Sequence, residues 1–198
     1  SANTYTVTIT DGSLCTQTAI ATLSNISGAT VQITDSTNIS CFGGSDGSIS
    51  ALISGGTAPY TVTWQDSVTS PIRTGLSAGN YTLTVRDANG CLTVRNVLLT
   101  APSAIVVTSN IPFRNPPYNT SCNGTLDGEI NLNVSGGTPF TASGVAVYSY
   151  QWSISGATSS SVVNIPAGTY NVTVRDSLGC SNTNSFFLTE PPLIDAGS

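Results

Sequence analysis

Histidine, lysine and methionine are absent from these 198 residues, and only 8% of the chain is charged. Without histidine there is no Ser-His-Asp or Cys-His arrangement to activate a nucleophile. There is also no imidazole to complete a zinc site alongside cysteine. Positive charge is limited to five arginines, against ten carboxylates and a net charge of −5. Neutralising a phosphate backbone takes several basic residues on one face, so nucleic acid is excluded as a partner. No apolar run reaches the ~18 residues of a membrane helix, so no membrane span is expected. There is no signal peptide and no initiator methionine, which reads as a piece cut from a longer mature chain.

The carboxylates sit mostly in turns. Asp46 and Asp127 precede glycine, and Asp87 and Asp176 follow arginine. Turn aspartates are usually solvated and bond their own backbone, whereas a glycosidase pair flanks a cleft with one pKa raised by burial. No catalytic residue is assigned and no enzyme activity is expected.

What the chain does have is serine and threonine, more than a quarter of all residues, with 39% apolar content. Thr, Val, Ile and Tyr fit pleated, half-buried surfaces. Repetition is the strongest signal. Ser77-Ala-Gly-Asn-Tyr-Thr-Leu-Thr-Val-Arg-Asp-Ala-Asn-Gly-Cys91 recurs at 166–180 and, in part, at 1–15. Cys41-Phe-Gly-Gly-Ser-Asp-Gly-Ser-Ile49 recurs at 122–130, and Ser54-Gly-Gly-Thr-Ala-Pro-Tyr60 recurs as Ser135-Gly-Gly-Thr-Pro-Phe140. The period is roughly 80 to 90 residues, with a longer loop in the second copy between Phe140 and Trp152. Residues 1–28 read as the end of a preceding repeat. Residues 29–102 and 103–191 read as two complete repeats, and 192–198 as the start of the next linker. Proline at Pro102 and Pro191 stiffens each joint.

Each repeat reads as all β. Tyr60–Trp64 and Tyr81–Val85 alternate with period two, and Asp87-Ala-Asn-Gly90 is a tight hairpin turn. Short strands at even spacing with turn clusters between them indicate a sandwich. Leu76–Tyr81 and Ile165–Tyr170 resemble a tyrosine corner, which gives Tyr81 and Tyr170 structural roles. Trp64 and Trp152 are the expected core aromatics.

Taken together, Cys-x-Gly-x-x-Asp-Gly-x-Ile, Ser-Gly-Gly-Thr, Trp, Ala-Gly-x-Tyr-x-Val-x-Val-x-Asp-x-x-Gly-Cys and Thr-x-Pro resemble the SprB repeat. That family takes its name from a gliding-motility adhesin of Bacteroidetes. The first segment departs from it, with Asp11-Gly-Ser-Leu-Cys15 in place of Gly-Cys and no proline in its exit, Ala21–Gly28. The resemblance implies tandem immunoglobulin-like (fibronectin type III/PKD-like) β-sandwich modules on a protein exported by type IX secretion to the bacterial cell surface. It implies attachment or gliding along surfaces, often with polysaccharide as the target. The expected partners are neighbouring repeats of the same long chain, surface polysaccharide, or other chains of one filament.

Five cysteines with no C-x-x-C point to disulfides and an oxidising compartment. Pairing within repeats gives Cys41–Cys91 and Cys122–Cys180 and leaves Cys15 for a partner before residue 1. Pairing across junctions gives Cys15–Cys41 and Cys91–Cys122, and free buried thiols are the third reading. Strand parity decides. If one strand fills the segment between Trp64 and Tyr81, Cys41 and Cys91 lie at the same end of the sandwich. If two strands fill it, they lie at opposite ends and cannot meet. The segment comfortably holds one strand, which favours the intra-repeat pairs.

No cofactor is expected. Calcium is the alternative at Asp46 and Asp127, but each loop offers one carboxylate where a calcium site usually needs several. Bacteroidetes glycosylate Asp-Ser/Thr-x tripeptides, and Ser36, Ser67 and Ser177 fit that pattern. The expected function is therefore a non-catalytic stalk or filament segment of a secreted cell-surface adhesin, and two other functions compete with it. One is a carbohydrate-binding module of a secreted hydrolase, using the loop Thr141–Tyr148 with Tyr150. The other is a self-assembling structural filament subunit.

Overall fold

In the computed structural model, residues 3–142 and 144–194 are described. Among them the chain is strand, turn and loop, with no helix. Its backbone divides into two compact units. One holds the residues up to Ser36 with Ser48–Thr74 and Gly79–Leu98; the other holds Thr37–Gly47, Gly75–Ala78 and everything from Leu99 onward.

The chain begins with a hairpin, β1 (Asn3–Thr10) and β2 (Thr16–Leu23), in continuous antiparallel register from Asn3↔Leu23 to Thr10↔Thr16. Both strands are exposed along their whole length, including Tyr5, Val7 and Ile9.

Six strands follow: β3 (Ala29–Thr37), β4 (Gly47–Gly55), β5 (Thr61–Trp64), β6 (Ile72–Leu76), β7 (Gly79–Arg86) and β8 (Leu92–Leu99). They form two three-stranded sheets, in the orders β3-β4-β6 and β5-β7-β8. The first, second and fourth strands share one sheet; the third, fifth and sixth share the other. This is the immunoglobulin-like arrangement without its fourth strand. Leu83 and Val85 on β7 are fully buried and alternate with Thr82, Thr84 and Arg86, which are not, as period-two patterning requires.

The second set repeats the plan. Strands β9 (Val106–Asn110), β10 (Gly128–Ser135) and β14 (Ser161–Ile165) form one sheet. Strands β13 (Ser149–Trp152), β15 (Gly168–Arg175) and β16 (Ser181–Leu188) form the other. The extra residues of the second repeat make a short hairpin of their own, β11 (Phe140–Ala142) with β12 (Val145–Val147). One core cluster draws on both large sheets: Ile130 from β10, Val162 and Ile165 from β14, Trp152 from β13, Val172 and Val174 from β15, and Leu188 from β16. Each fully buried aliphatic side chain contributes about 2 kcal/mol by removal from water. The indoles of Trp64 and Trp152 are 1% and 6% exposed. Their Nε1 groups donate to the carbonyls of Ser70 at 2.8 Å and Ser159 at 3.0 Å.

The direction of the half-length strands determines where the loops end up. β10 is antiparallel to β9 and β14, and β15 is antiparallel to β13 and β16. β13 pairs with the C-terminal half of β15, from Arg175 to Val172, and stops at Trp152. β14 pairs with the N-terminal half of β10, from Asn131 to Gly128. The chain therefore descends once, in two halves lying in opposite sheets. As a result each sandwich has two distinct poles. At the N-terminal pole, Gly137 lies against Asp176 in the β15–β16 turn. At the C-terminal pole, Gly128 lies against Leu188 and the Ile165 carbonyl.

Gly128 marks that second pole for a steric reason. A Cβ there would sit 2.6 Å from the Ile165 carbonyl oxygen and 2.7 Å from Leu188 Cδ2. Gly128→Ala is expected to destabilise the protein by about 1–3 kcal/mol through overpacking. Gly12→Ala, with nothing within 4 Å, should leave the thermal unfolding midpoint unchanged.

Candidate functional site

The N-terminal pole of each sandwich is organised by one carboxylate. Asp176 Oδ1 accepts the N–H groups of Leu178 at 3.0 Å and Cys180 at 2.9 Å, and Oδ2 accepts that of Thr138 at 2.8 Å. Asp87 does the same with Asn89, Cys91 and Thr57. In the opening hairpin, Asp11 accepts from Ser13 and Cys15. Two of the repeated motifs thus meet at one group, because the Asp of the turn motif caps the Gly-Gly-Thr turn. Gly137 has φ 61°, and a Cβ there would fall 2.6 Å from Asp176 Oδ2. Asp87 and Asp176 are 4% and 2% exposed, which corrects their reading as solvated turn residues. Three backbone donors offset the desolvation of each carboxylate. The clue lay in the sequence, in the recurrence of Gly-Gly-Thr with Asp-x-x-Gly-Cys.

The leading cysteines, Cys41 and Cys122, open loops at the C-terminal pole. In the first, Asp46 accepts the Ser40 N–H at 3.1 Å and the Ser40 hydroxyl. In the second, Asp127 accepts the Ser121 N–H at 3.2 Å and the Thr125 hydroxyl at 2.9 Å. The Ser40 hydrogen bonds hold the Asp46 carboxyl below its ordinary value, and the bonds from Ser121 and then Thr125 do so for Asp127. Among the described residues no group of three or more His, Cys, Asp or Glu side chains could hold a metal ion.

Cys41 is disulfide-bonded to Cys180, with Cα atoms 5.6 Å apart and a sequence separation of 139. Cys15, Cys91 and Cys122 are free thiols. The intra-repeat pairs Cys41–Cys91 and Cys122–Cys180 are therefore not formed, and neither are Cys15–Cys41 and Cys91–Cys122. Strand parity failed for an identifiable reason. One strand does fill the segment after each tryptophan, but it completes the descent begun by β5 or β13 instead of reversing it. Leading and turn cysteines of one sandwich are left at opposite poles. Eight strand residues separate them, about 26 Å, whereas a disulfide tolerates a Cα separation of at most about 7 Å. Beside the bond lies a cavity of about 380 Å³ lined by Cys41, Phe42, Pro102–Ile105, Gly137 and Gly179–Asn182. Phe42 is 67% exposed.

The remaining candidates fall elsewhere. The Tyr170 hydroxyl donates to the Pro166 carbonyl at 2.7 Å, and burial raises its pKa. Half-buried Tyr81 lies beneath the Arg73 guanidinium, which is 6.0 Å from its ring centroid and 5.4 Å from that of Trp64. Arg73 also grips Asp66 through two hydrogen bonds, which lower the Asp66 carboxyl. Tyr148 donates to the Gly136 carbonyl at 2.8 Å, as Tyr60 does to Gly55 at 2.6 Å. Tyr148 and Tyr150 both pack against the second core. Ser36, Ser67 and Ser177 are exposed, and the Ser177 hydroxyl donates to the Thr138 carbonyl.

The SprB repeat family model matches residues 33–69 and 115–157. Both segments are similar to the SprB repeat. Both matches contain the leading cysteine, the Gly-Gly turn and the core tryptophan, and both end before the Gly-x-Tyr strand and the turn cysteine. The disulfide thus joins a residue inside the first matched SprB segment to one beyond the second. Among solved structures, the N-terminal eight Ig domains of Down Syndrome Cell Adhesion Molecule, isoform 1.30.30, are 12% identical with a TM-score of 0.40. That alignment covers 88% of this chain and 26% of the other, so the chain spans about a quarter of that structure's length. No curated protein matches the chain.

Asp176→Ala, which removes a buried carboxylate and the acceptor of three backbone N–H groups, is expected to lower the unfolding free energy by about 1–3 kcal/mol in urea titrations. Acid should act through the C-terminal poles. The folded-state pKa values of Asp46 and Asp127 are depressed below 3.8. The stability they add is full above that value and is lost as pH falls through the lowered ones. Asp46→Asn should therefore flatten the fall of the urea midpoint below pH 4.

Proposed function

We propose that the chain is a non-catalytic, load-bearing segment of a secreted cell-surface adhesin, serving attachment or gliding of the cell that exports it. The modules are residues 29–102 and 103–191, following the tail of another repeat at 1–28 and leading into the next linker at 192–198. The observation that carries this reading is the covalent bond between the leading cysteine of one repeat and the turn cysteine of the next. A bond of that kind resists separation of modules under pull and belongs to an oxidising, extracellular setting. The SprB matches support a place in a repeat array on the cell surface. Among the described residues no helix is long and apolar enough to cross a membrane.

The same reading accounts for a surface poor in charge. With no lysine to guard strand edges, protection falls to proline, short edge strands and glycans at exposed serines such as Ser36 and Ser67. Polysaccharide or neighbouring filament chains are the proposed targets of the whole adhesin, with these modules holding the adhesive part away from the cell.

Single-molecule extension tests the load-bearing role. With a sequence separation of 139 bridged by the bond, the oxidised chain pulled from its ends should extend roughly 450–500 Å less than the reduced chain. Equal contour lengths in the two states would count against it.

A further inference from the structure

The cavity beside the disulfide has a half-built counterpart. Beside the disulfide, the loop of Cys41 and Phe42 and the linker Pro102–Ile105 supply one wall, and the Gly137 turn with Gly179–Asn182 supplies the other. A second cavity, of about 320 Å³, is lined by Cys122, Asn123 and the linker Pro191–Ile194. These residues stand one repeat further along at the same motif positions, and the rest of the lining is Asn115 and Ser121, with no counterpart of the Gly137 and Gly179–Asn182 wall among the described residues. The linkers differ in the corresponding way. Ile105 is 7% exposed and belongs to the second core, its carbonyl accepting from Asn182 Nδ2 at 2.6 Å. Gly137 N–H donates to the Ser103 carbonyl at 2.9 Å. Ile194, the counterpart of Ile105, is 92% exposed, and Cys122, the counterpart of Cys41, is an exposed free thiol.

We infer that Cys41–Cys180 is one rung of a disulfide ladder in which the leading cysteine of every repeat bonds the turn cysteine of the repeat after it. Cys122 and the linker Pro191–Ile194 then form a docking site for the N-terminal pole of another repeat of this kind. That pole brings its Gly-Gly turn and Gly-Cys turn, and its core takes in Ile194. Cys91 is the complementary half of a rung. It lies at an N-terminal pole, where a Cβ on Gly28 of the incoming chain would be 3.0 Å from its own Cβ, and its partner is the leading cysteine of the preceding repeat. Opposite placement of the two cysteines within a sandwich makes this pairing the one that end-to-end order favours.

Rung formation is an exchange. One cysteine thiolate attacks a small-molecule or oxidoreductase disulfide, releasing a thiol, and the second thiolate displaces the remaining half. Two protein thiols are oxidised to one disulfide and the donor is reduced to two thiols, which take up the two protons. Oxidised glutathione serves as the donor in vitro.

The inference rests on the tandem-array reading, and the test separates the two. The full chain, and the full chain followed in frame by a further copy of residues 110–198, so that 192–198 stands in for 103–109 and Ile194 for Ile105, are oxidised with glutathione, alkylated and mapped without reduction. In the 198-residue chain the expected link is Cys41–Cys180, with Cys15, Cys91 and Cys122 alkylated. In the extended chain Cys122 should link to the added copy of Cys180, and its alkylation should fall at least tenfold. Cys122→Ser should restore alkylation of that added cysteine. Independently of any bond, Ile194→Asp should lower the unfolding midpoint of the extended chain and leave that of the 198-residue chain unchanged. If Cys122 stays reactive in the extended chain, or pairs within its own repeat, the ladder is overturned while the array stands. If Cys41–Cys180 is missing from the shorter chain, the load-bearing array loses its support as well.

Discussion

A carboxylate buried at the N-terminal pole is the interaction on which the rest of each sandwich depends. Asp176 fastens the Gly-Gly-Thr turn after β10 to the hairpin turn between β15 and β16, and it fixes the backbone of the cysteine that makes the disulfide. The two turns come from opposite sheets, so one side chain sets both the closure of the sandwich and the position of Cys180. The glycine pair follows from this. At Gly137 any side chain would collide with the carboxylate, and at Gly136 one would meet the Ala104 carbonyl of the arriving linker. Sheet closure, linker docking and the covalent bond are thus consequences of one hydrogen-bonded knot.

Much of the architecture was legible because it is carried by periodicity. Alternation in Tyr81–Val85 and Tyr170–Val174 gives the strands and their inward faces, and the repeats give the tandem organisation. Cysteine pairing was not legible from the same signals. It depends on whether a five-residue strand reverses the chain or continues it, and β6 and β14 look alike in sequence either way. Only the antiparallel pairing of β14 with β10 resolves the direction. The buried aspartates were misread for a related reason. An Asp before a Gly-containing turn resembles any local cap until the second turn that it also binds is brought beside it.

The opening hairpin shows what the second sheet contributes. Tyr5, Val7 and Ile9 occupy the motif positions of Tyr170, Val172 and Val174, yet they are 48%, 59% and 67% exposed, whereas the latter three are buried. The turn of the hairpin still forms, with Asp11 capping it in the same manner. The hairpin's own hydrogen bonds leave those side chains exposed, whereas in the second sandwich the opposing strands β10 and β14, with Trp152 of the neighbouring β13, complete the cluster that buries their counterparts. Hydrogen bonds specify the turn, and packing across the sandwich supplies most of the stability.

The Cys41–Cys180 bond also alters what a protease can achieve. Exposed loops such as the tip beside Gly144 are where nicking concentrates. Any single cut between residues 41 and 180 opens a covalent ring without parting the chain, because the two fragments remain joined through sulfur. The second sandwich can therefore be nicked, and even lose its fold, while everything upstream stays tethered to everything downstream. Enzymatic shedding from a surface would require a cut outside the ring, because even two cuts within it leave the Cys41 and Cys180 fragments joined.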